Sequence, residues 1–386
     1  MSASSIWAAF KDRLRAWFPA MSIASRPMRR ALVMFFADIA RKIVPASCAW
    51  GPPKGFFSDY ELLAKGKVKG RIILTSQTTP PVQADSLRKV ARLGQEGFQP
   101  WPVFWTHHNE ARLVGETLVL RDDRKRLSIE AAFGRHMSRI DPAYRTFRLP
   151  PPVRLEGNWT SLLSQASTMF YHWFLDALPR LAVLRELPPD IQVLVHPELP
   201  AFKLDTLKWL GLEGRFRPTS EKHLVIENYY FTSLTAMTGC YSPYAVEFLR
   251  RAFLDKADMD YDPPRKFYLR RVGKSRGIAN EEPVLDLFRN LGWAIVDPEA
   301  MPMARQIRLF SGAEQIVALH GGGLTNLLWC APGCKVLELL ASTYLNGVYE
   351  GLSEVLRLDY RFLICPADAA QRPAVDVDAL AKAIKL

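Results

Sequence analysis

The hydrophobic pattern changes character near residue 264. Beyond that point short apolar runs alternate with stretches of helical periodicity. Lys266–Arg271, Trp293–Val296, Gln315–Leu319 and Lys335–Leu340 read as strands, because buried strands appear as short β-branched and aromatic runs between turn residues. Glu281–Leu291, Met303–Ser311 and Leu324–Cys330 read as the helices between them. Strands and helices alternating at this spacing predict a parallel, doubly wound α/β unit.

Upstream the pattern is less regular. Arg71–Ser76, Leu118–Arg121, Leu127–Ala132, Ile191–His196 and Leu224–Phe231 read as strands, with no order among them implied. The strongest upstream element is a helix over Gln165–Leu187, whose apolar face is Met169, Phe170, Trp173, Phe174, Ala177, Leu178 and Leu181. Within it Pro179 has no N–H to give the carbonyl of Leu175, so a kink or an end is expected there. At the start of the chain, Ile6, Trp7, Phe10, Leu14, Trp17 and Phe18 line one side of a basic amphipathic helix, and a second helix is expected over Pro27–Val44. With a junction placed at Pro243–Pro264, the expected domains are a leader of residues 1–45, an α/β lobe of 46–245 and a Rossmann-like lobe of 246–386.

Charge sharpens the reading of the leader. Fifty-one basic against 39 acidic residues leave a net +12 and a pI near 9.5, and residues 1–45 carry eight of the basic residues but two of the acidic ones. A basic helix with tryptophan on its apolar side has the composition of an interfacial anchor, so an anionic membrane surface is an expected partner. No nucleic-acid motif accompanies the charge, and nucleic acid is not expected as a partner. No apolar run reaches the ~18–20 residues of a spanning helix. Five scattered cysteines suit a reducing compartment. A cytoplasmic location, peripheral at the membrane face, is therefore expected.

The sharpest chemical signal is the run from Ile316 to Asn326, in which an apolar strand delivers the chain to His320, Gly321, Gly322 and Gly323 and then to a helix start. Amide N–H groups and the positive end of a helix dipole there favour an anion, most naturally phosphate. The spacing is neither that of the dinucleotide fingerprint nor that of the Walker loop. A serine hydrolase with an HGGG oxyanion loop is excluded by the lack of any G-x-S-x-G elbow. Arg271, Lys274 and Arg276 follow the first strand of this unit, where open α/β sheets bind ligands. His320 suits either a phosphate contact or a structural bond. Glu338, in an apolar run, needs a partner, either ribose hydroxyls or an ion pair. His172, Asp176 and Arg180, spaced i, i+4 and i+8, form a stripe in which an imidazole beside a carboxylate supplies a general base; an internal ion-pair ladder is the alternative. His107, His108 and Glu110, read as loop residues, lack the further acids of a metal site, and no metal is expected.

These residues carry a family resemblance. Leu319–Glu338 resembles the H-G-A-G-L-T-N…P-G…V-[IL]-E segment of glycosyltransferase family 61, with Gly322 in place of alanine. Tyr268–Arg271, Ser275–Arg276 and Asn280–Glu281 are similar to its Y-[IL]-x-R…S-R…N-E block, although Arg270 doubles the arginine and leaves open which one meets the ligand. Tyr171-His172-Trp173 through Asp176 and Leu178-Pro179-Arg180 resembles its Y-H-W…D…L-P-R helix. The resemblance implies a GT-B architecture of two facing Rossmann-like lobes, inversion at the anomeric carbon, no divalent cation and no other cofactor. It also implies a role in building glycans such as surface or capsular polysaccharide.

The expected donor contacts are Arg271, Lys274, Arg276, Asn280, His320, Gly321, Gly322, Gly323, Leu324, Thr325, Asn326 and Glu338, with His172 or Asp176 as base. The substrates are then a nucleotide-sugar donor and a glycan or lipid-linked glycan acceptor. A second class is a catalytically inactive nucleotide-binding protein docked at a membrane.

Overall fold

The computed structural model of the chain describes residues 53, 55–76, 102–131, 149–164, 167–235, 239, 241–271 and 277–385. The leader, residues 1–45, with both of its expected helices, and the stretch holding Lys274 and Arg276 lie outside the described residues. The strands, in chain order, are β1 (Gly55–Phe57), β2 (Lys69–Leu74), β3 (Val103–Val114), β4 (Val119–Arg121), β5 (Arg126–Ser128), β6 (Val153–Ser161), β7 (Gln192–Val195), β8 (Phe216–Pro218), β9 (His223–Thr232), β10 (Lys266–Leu269), β11 (Ala294–Val296), β12 (Gln315–Leu319), β13 (Lys335–Ala341) and β14 (Asp359–Cys365). They form two sheets, and the protein is a mixed α/β chain.

The chain divides into two compact units. Of the described residues, the first takes those up to 59 and those within 109–156 and 221–227, the second those within 60–108, 157–220 and 228–385. In the first, β1 pairs parallel with β5, which pairs antiparallel with β4, itself antiparallel to the end of β3. A small apolar core of Val114, Val119 and Leu127 lies here. Beside it are two buried acids, Asp59, bonded by Ser128, and Glu130, bonded by Ser58. Burial pushes the Glu130 carboxyl upward against that bond.

The second unit holds the five-stranded sheet, of order β11-β10-β12-β13-β14 and parallel throughout. Its three central strands, β10, β12 and β13, are largely apolar on both faces, as a sheet covered on both sides requires. Phe267, Leu269, Ile316, Ala318 and Val336 pack on one side with helices Met303–Ser311 and Val348–Leu356, while Tyr268, Val317, Leu337 and Leu339 pack on the other with Glu281–Asn290 and Val377–Lys385. Helix Glu281–Asn290 starts where Glu281 and Glu282 face the positive end of its dipole. The chain leaves it through Gly292, whose φ of 68° is a left-handed conformation that glycine adopts without strain. Met303–Ser311 and Gln315–Leu319 have the bounds read from the sequence.

Numbered from β10, the sheet order is 2-1-3-4-5. The chain therefore reverses direction across the sheet between β10 and β12, and the crevice beyond the carboxyl ends of these two strands is where such sheets bind ligands.

Elsewhere in this unit the structure departs from the sequence reading. His107 and His108 lie on strand β3 rather than in a loop, because β3 is paired by β2 on one side. The expected junction contains helix Pro243–Phe253, with Ser242 as an N-cap accepting from the Ala245 N–H and Pro243 in the first turn. Among the described residues no helix is long and apolar enough to cross a membrane.

Candidate active site

The segment read as one helix over Gln165–Leu187 is α-helical only over Phe170–His172, π-helical over Trp173–Ala177 and 3₁₀ over Leu178–Glu186. Pro179, at the start of the 3₁₀ stretch, lacks the N–H that an α-helix would spend on Leu175, so the ladder changes register there. Periods of roughly 4.4 and then 3.0 residues per turn break the i, i+4, i+8 stripe. His172 and Asp176 remain one turn apart and are hydrogen bonded through Nδ1 and Oδ2. Arg180 turns away from them, donating from Nε to the carbonyl of Thr232 and lying over the Phe231 ring at 5.8 Å. The expected three-residue stripe is thus a dyad.

The Asp176 carboxylate is 1% exposed, and burial pushes its pKa up while the His172 hydrogen bond opposes that shift. Its second oxygen, Oδ1, has no hydrogen-bond partner among the described residues. The imidazole side chain of His172 is 22% exposed, so Nδ1 is fixed on the buried acid while the ring keeps access to solvent. An imidazole oriented this way is the geometry of a general base.

Aromatic packing seats this helix on the glycine loop. Phe174 meets Trp329 edge to face at 5.8 Å, and Phe253 closes the cluster at 6.2 Å from Trp329. Tyr171 stacks edge-on against both His172, at 4.8 Å, and Tyr349, at 5.9 Å. Tyr349 in turn lies 5.4 Å from the His320 ring and donates to the Gly321 carbonyl at 2.7 Å. The two motifs, 148 residues apart between His172 and His320, therefore meet through two tyrosine rings.

At the crevice, Arg270 and Arg271 part company. Arg270 is held by a two-point ion pair with Glu281, at 3.0 and 2.7 Å. Arg271 donates from Nη1 to the His320 carbonyl at 2.9 Å and lines a small pocket with Leu319, His320, Ala341, Tyr344 and Gln371. The glycine run opens a 3₁₀ helix over Gly322–Trp329, which no side chain caps. A Cβ at Gly322 would meet nothing within 4 Å, which fits the alanine found there in the resembling segment, whereas one at Gly323 would touch Leu269 at 3.1 Å.

The remaining expected contacts point inward. Leu324 is fully buried, as is Thr325, whose hydroxyl faces Tyr349 at 3.5 Å. Asn326 donates to Gln306 at 2.8 Å and accepts from the Trp329 indole at 3.0 Å, so it pins the helix that follows the glycines. Asn280 bonds the Val375 backbone twice, at 2.9 and 2.8 Å. Asn280→Ala strands a buried N–H and C=O together and is expected to lower the unfolding free energy by about 1–3 kcal/mol in a denaturant titration. Glu338, fully buried, accepts from His320 Nδ1 at 2.5 Å and from the Tyr360 hydroxyl.

Tyr360 and Tyr349 have no place among the residues singled out from the sequence. Tyr349 lies on a helix, and Tyr360 on a strand, that the sequence pattern did not reveal. His107 is stacked on Tyr230 at 4.7 Å and bonded to Asn228, and Glu110 is paired with Arg154. No group of three or more His, Cys, Asp or Glu side chains suited to a metal occurs among the described residues.

Comparison with known proteins agrees with where these motifs lie. The family model for glycosyltransferase 61 matches residues 170–337. A beta-1,2-xylosyltransferase of Oryza sativa subsp. japonica is 32% identical over 71 residues, which are 18% of this chain and 13% of the rice protein. The chain thus aligns with about an eighth of the length of that relative. The match to the family model begins at the helix bearing His172 and ends on β13, spanning the dyad, Arg271 and the glycine loop. Residues 170–337 of this chain are a glycosyltransferase 61 domain.

Proposed function

We propose that the chain is an inverting glycosyltransferase that moves a sugar from a nucleoside-diphosphate donor to a hydroxyl of a glycan or lipid-linked glycan, in the assembly of surface polysaccharide. The observation that carries this reading is the packing of the His172–Asp176 dyad, through Tyr171 and Tyr349, onto the loop at the β10/β12 crevice where Arg271 and His320 lie. A base and an anion site are thereby adjacent, which is what displacement at an anomeric carbon needs.

In the proposed step the acceptor hydroxyl gives its proton to Nε2 of His172 as its oxygen bonds to the anomeric carbon. The bond from that carbon to the β-phosphate oxygen breaks, and its electron pair leaves with the nucleoside diphosphate. Arg271, His320 and the N–H groups of Gly321, Gly322 and Gly323 meet the charge that develops there, the fixed-donor arrangement that stabilises a departing anion. Lys274 and Arg276, expected on the same loop as Arg271, join them in this proposal. Asp176 holds the His172 ring and balances the imidazolium that forms. The GT-B arrangement rests on the resemblance, with the β10–β14 sheet as the nucleotide-binding lobe.

With fixed cations and amides at the diphosphate, turnover is expected to persist in excess EDTA, as measured by nucleoside diphosphate release. Activity lost to the chelator and restored by manganese contradicts this. The name of the rice protein puts a pentosyl donor in the panel to be tried.

We also propose that the leader docks on the anionic cytoplasmic face of a membrane, on the ground of its charge and its Trp7 and Trp17. Deletion of residues 1–45 is expected to abolish most sedimentation with vesicles containing phosphatidylserine while diphosphate binding is retained. Undiminished sedimentation refutes the anchor.

A further inference from the structure

Glu338 sits on β13 in an otherwise apolar run, and it is fully buried. A carboxylate removed from water stays charged only with hydrogen bonds and a cation to hold it. Both of its oxygens are engaged within the protein, Oε1 by His320 Nδ1 at 2.5 Å and Oε2 by the Tyr360 hydroxyl. A residue placed this way does not reach a ribose.

What it does reach is an imidazole at the pocket. Because the carboxylate accepts, Nδ1 of His320 is the nitrogen that carries the proton, and Nε2 lies on the opposite edge of the ring. The ring is confined from two further sides, by Tyr344 at 5.5 Å and Tyr349 at 5.4 Å. Its backbone is held too, since the His320 N–H donates to the Leu339 carbonyl and its carbonyl accepts from Arg271. Four elements therefore fix one ring: β13 through Glu338, β14 through Tyr360, helix Val348–Leu356 through Tyr349, and the loop after β13 through Tyr344. The side chain of His320 is 11% exposed and lines the Arg271 pocket.

We infer that Glu338 and Tyr360 are positioning residues, which lock the His320 ring with Nδ1 inward so that Nε2 is the atom offered to the phosphates beside Arg271. The inference rests on the donor site proposed above and adds to it the orientation of His320 and a role for Tyr360. The domain then contains two imidazole–carboxylate pairs with separate tasks. His172–Asp176 receives the acceptor proton, and His320–Glu338 faces the leaving group. A buried carboxylate behind an imidazole fixes ring and tautomer, and in the doubly protonated ring Nε2 carries the hydrogen that donates to phosphate.

The test is nuclear magnetic resonance of the full chain labelled with ¹⁵N in its histidine rings, the His320 signals being assigned by their loss in His320→Gln. The expected result is a slowly exchanging Nδ1–H resonance from His320 in the protein without ligand. Glu338→Gln is expected to abolish it, and Tyr360→Phe to speed its exchange, while the Nδ1–H resonance of His172 stays in place as the internal mark of an intact fold. Turnover is expected to fall about 10–100-fold in Glu338→Gln, the range lost when the outer partner of a metal-bound histidine is removed.

A His320 ring protonated at Nε2 alone in the wild-type protein overturns the inference. So does a His320 Nδ1–H signal that survives unchanged in Glu338→Gln, or in Tyr360→Phe should the first variant not fold. Titration with uridine and guanosine diphosphates tests the other reading separately. If the Nδ1–H behaves as expected but no nucleoside diphosphate moves any His320 resonance, the positioning role stands and the donor site is what fails.

Discussion

His172→Ala and Asp176→Asn are each expected to lower turnover by about 10²-fold or more, the usual size of a general-base contribution, while the dissociation constant of the donor stays nearly unchanged. The reason is geometric. The His172 ring is held at Nδ1 by a buried carboxylate and keeps solvent access, so in the proposed step it meets the acceptor hydroxyl rather than the nucleotide. Asp176→Asn keeps the volume of the side chain but not the charge that orients the imidazole and balances the imidazolium, so it acts on rate and not on fold. Rates measured beside calorimetric donor binding check this. Wild-type turnover in both variants would make the dyad a structural tie within the helix, and equal loss of donor affinity would place His172 in the nucleotide site.

Arg271→Ala is expected to weaken donor binding about 10–100-fold and to lower kcat as well. A hydrogen bond to a charged group contributes about 1.5–3 kcal/mol, and in the proposed site this one is made to a phosphate that is present before the reaction begins. Arg270→Ala is expected to behave differently, since its guanidinium is spent on Glu281 at the start of helix Glu281–Asn290. It should leave the donor dissociation constant within about twofold, as a partly exposed ion pair that is not part of the pocket lining acts weakly on the site. Calorimetry with the nucleoside diphosphate separates the two arginines. A larger loss in Arg270→Ala than in Arg271→Ala would reverse the assignment.

The centre of the parallel sheet was readable because β10, β12 and β13 are buried on both faces and separated by helices with their own start and stop signals. Helix Met303–Ser311 and strand Gln315–Leu319 need no distant partner to be recognised. Strand β3 is different: its middle reads Thr106, His107, His108, Asn109, Glu110, and nothing in that run announces a strand until β2 pairs with it. Helix Pro243–Phe253 was hidden by its own first proline, which reads as a break unless Ser242 is seen as a cap.

The site was legible in the same uneven way. The i, i+4 pairing of His172 with Asp176 survives the π-helical turn, but Arg180 is lost from the stripe because the repeat changes at Pro179. The two arginines are told apart by Glu281, which holds Arg270 from eleven residues on and is within reach only once β10 and the next helix are placed. The bond from His320 to Glu338 depends on the register of β12 against β13, which pairs Ala318 with Glu338, and no spacing rule supplies a register between parallel strands. Tyr360 needs β14 as well, a strand with mixed burial whose pattern is weak.

The central claim, a nucleotide-sugar site at the β10/β12 crevice of a glycosyltransferase 61 domain, is tested most directly by thermal shift of the full chain against a panel of nucleotide sugars, with Arg271→Ala run in parallel. A ligand that binds only the folded state raises the melting temperature by mass action. The account predicts that at least one nucleotide sugar and its nucleoside diphosphate raise the Tm of the wild-type protein, and that both shifts shrink in the variant. A wild-type protein stabilised by no member of the panel, or stabilised as strongly after Arg271→Ala, would contradict it.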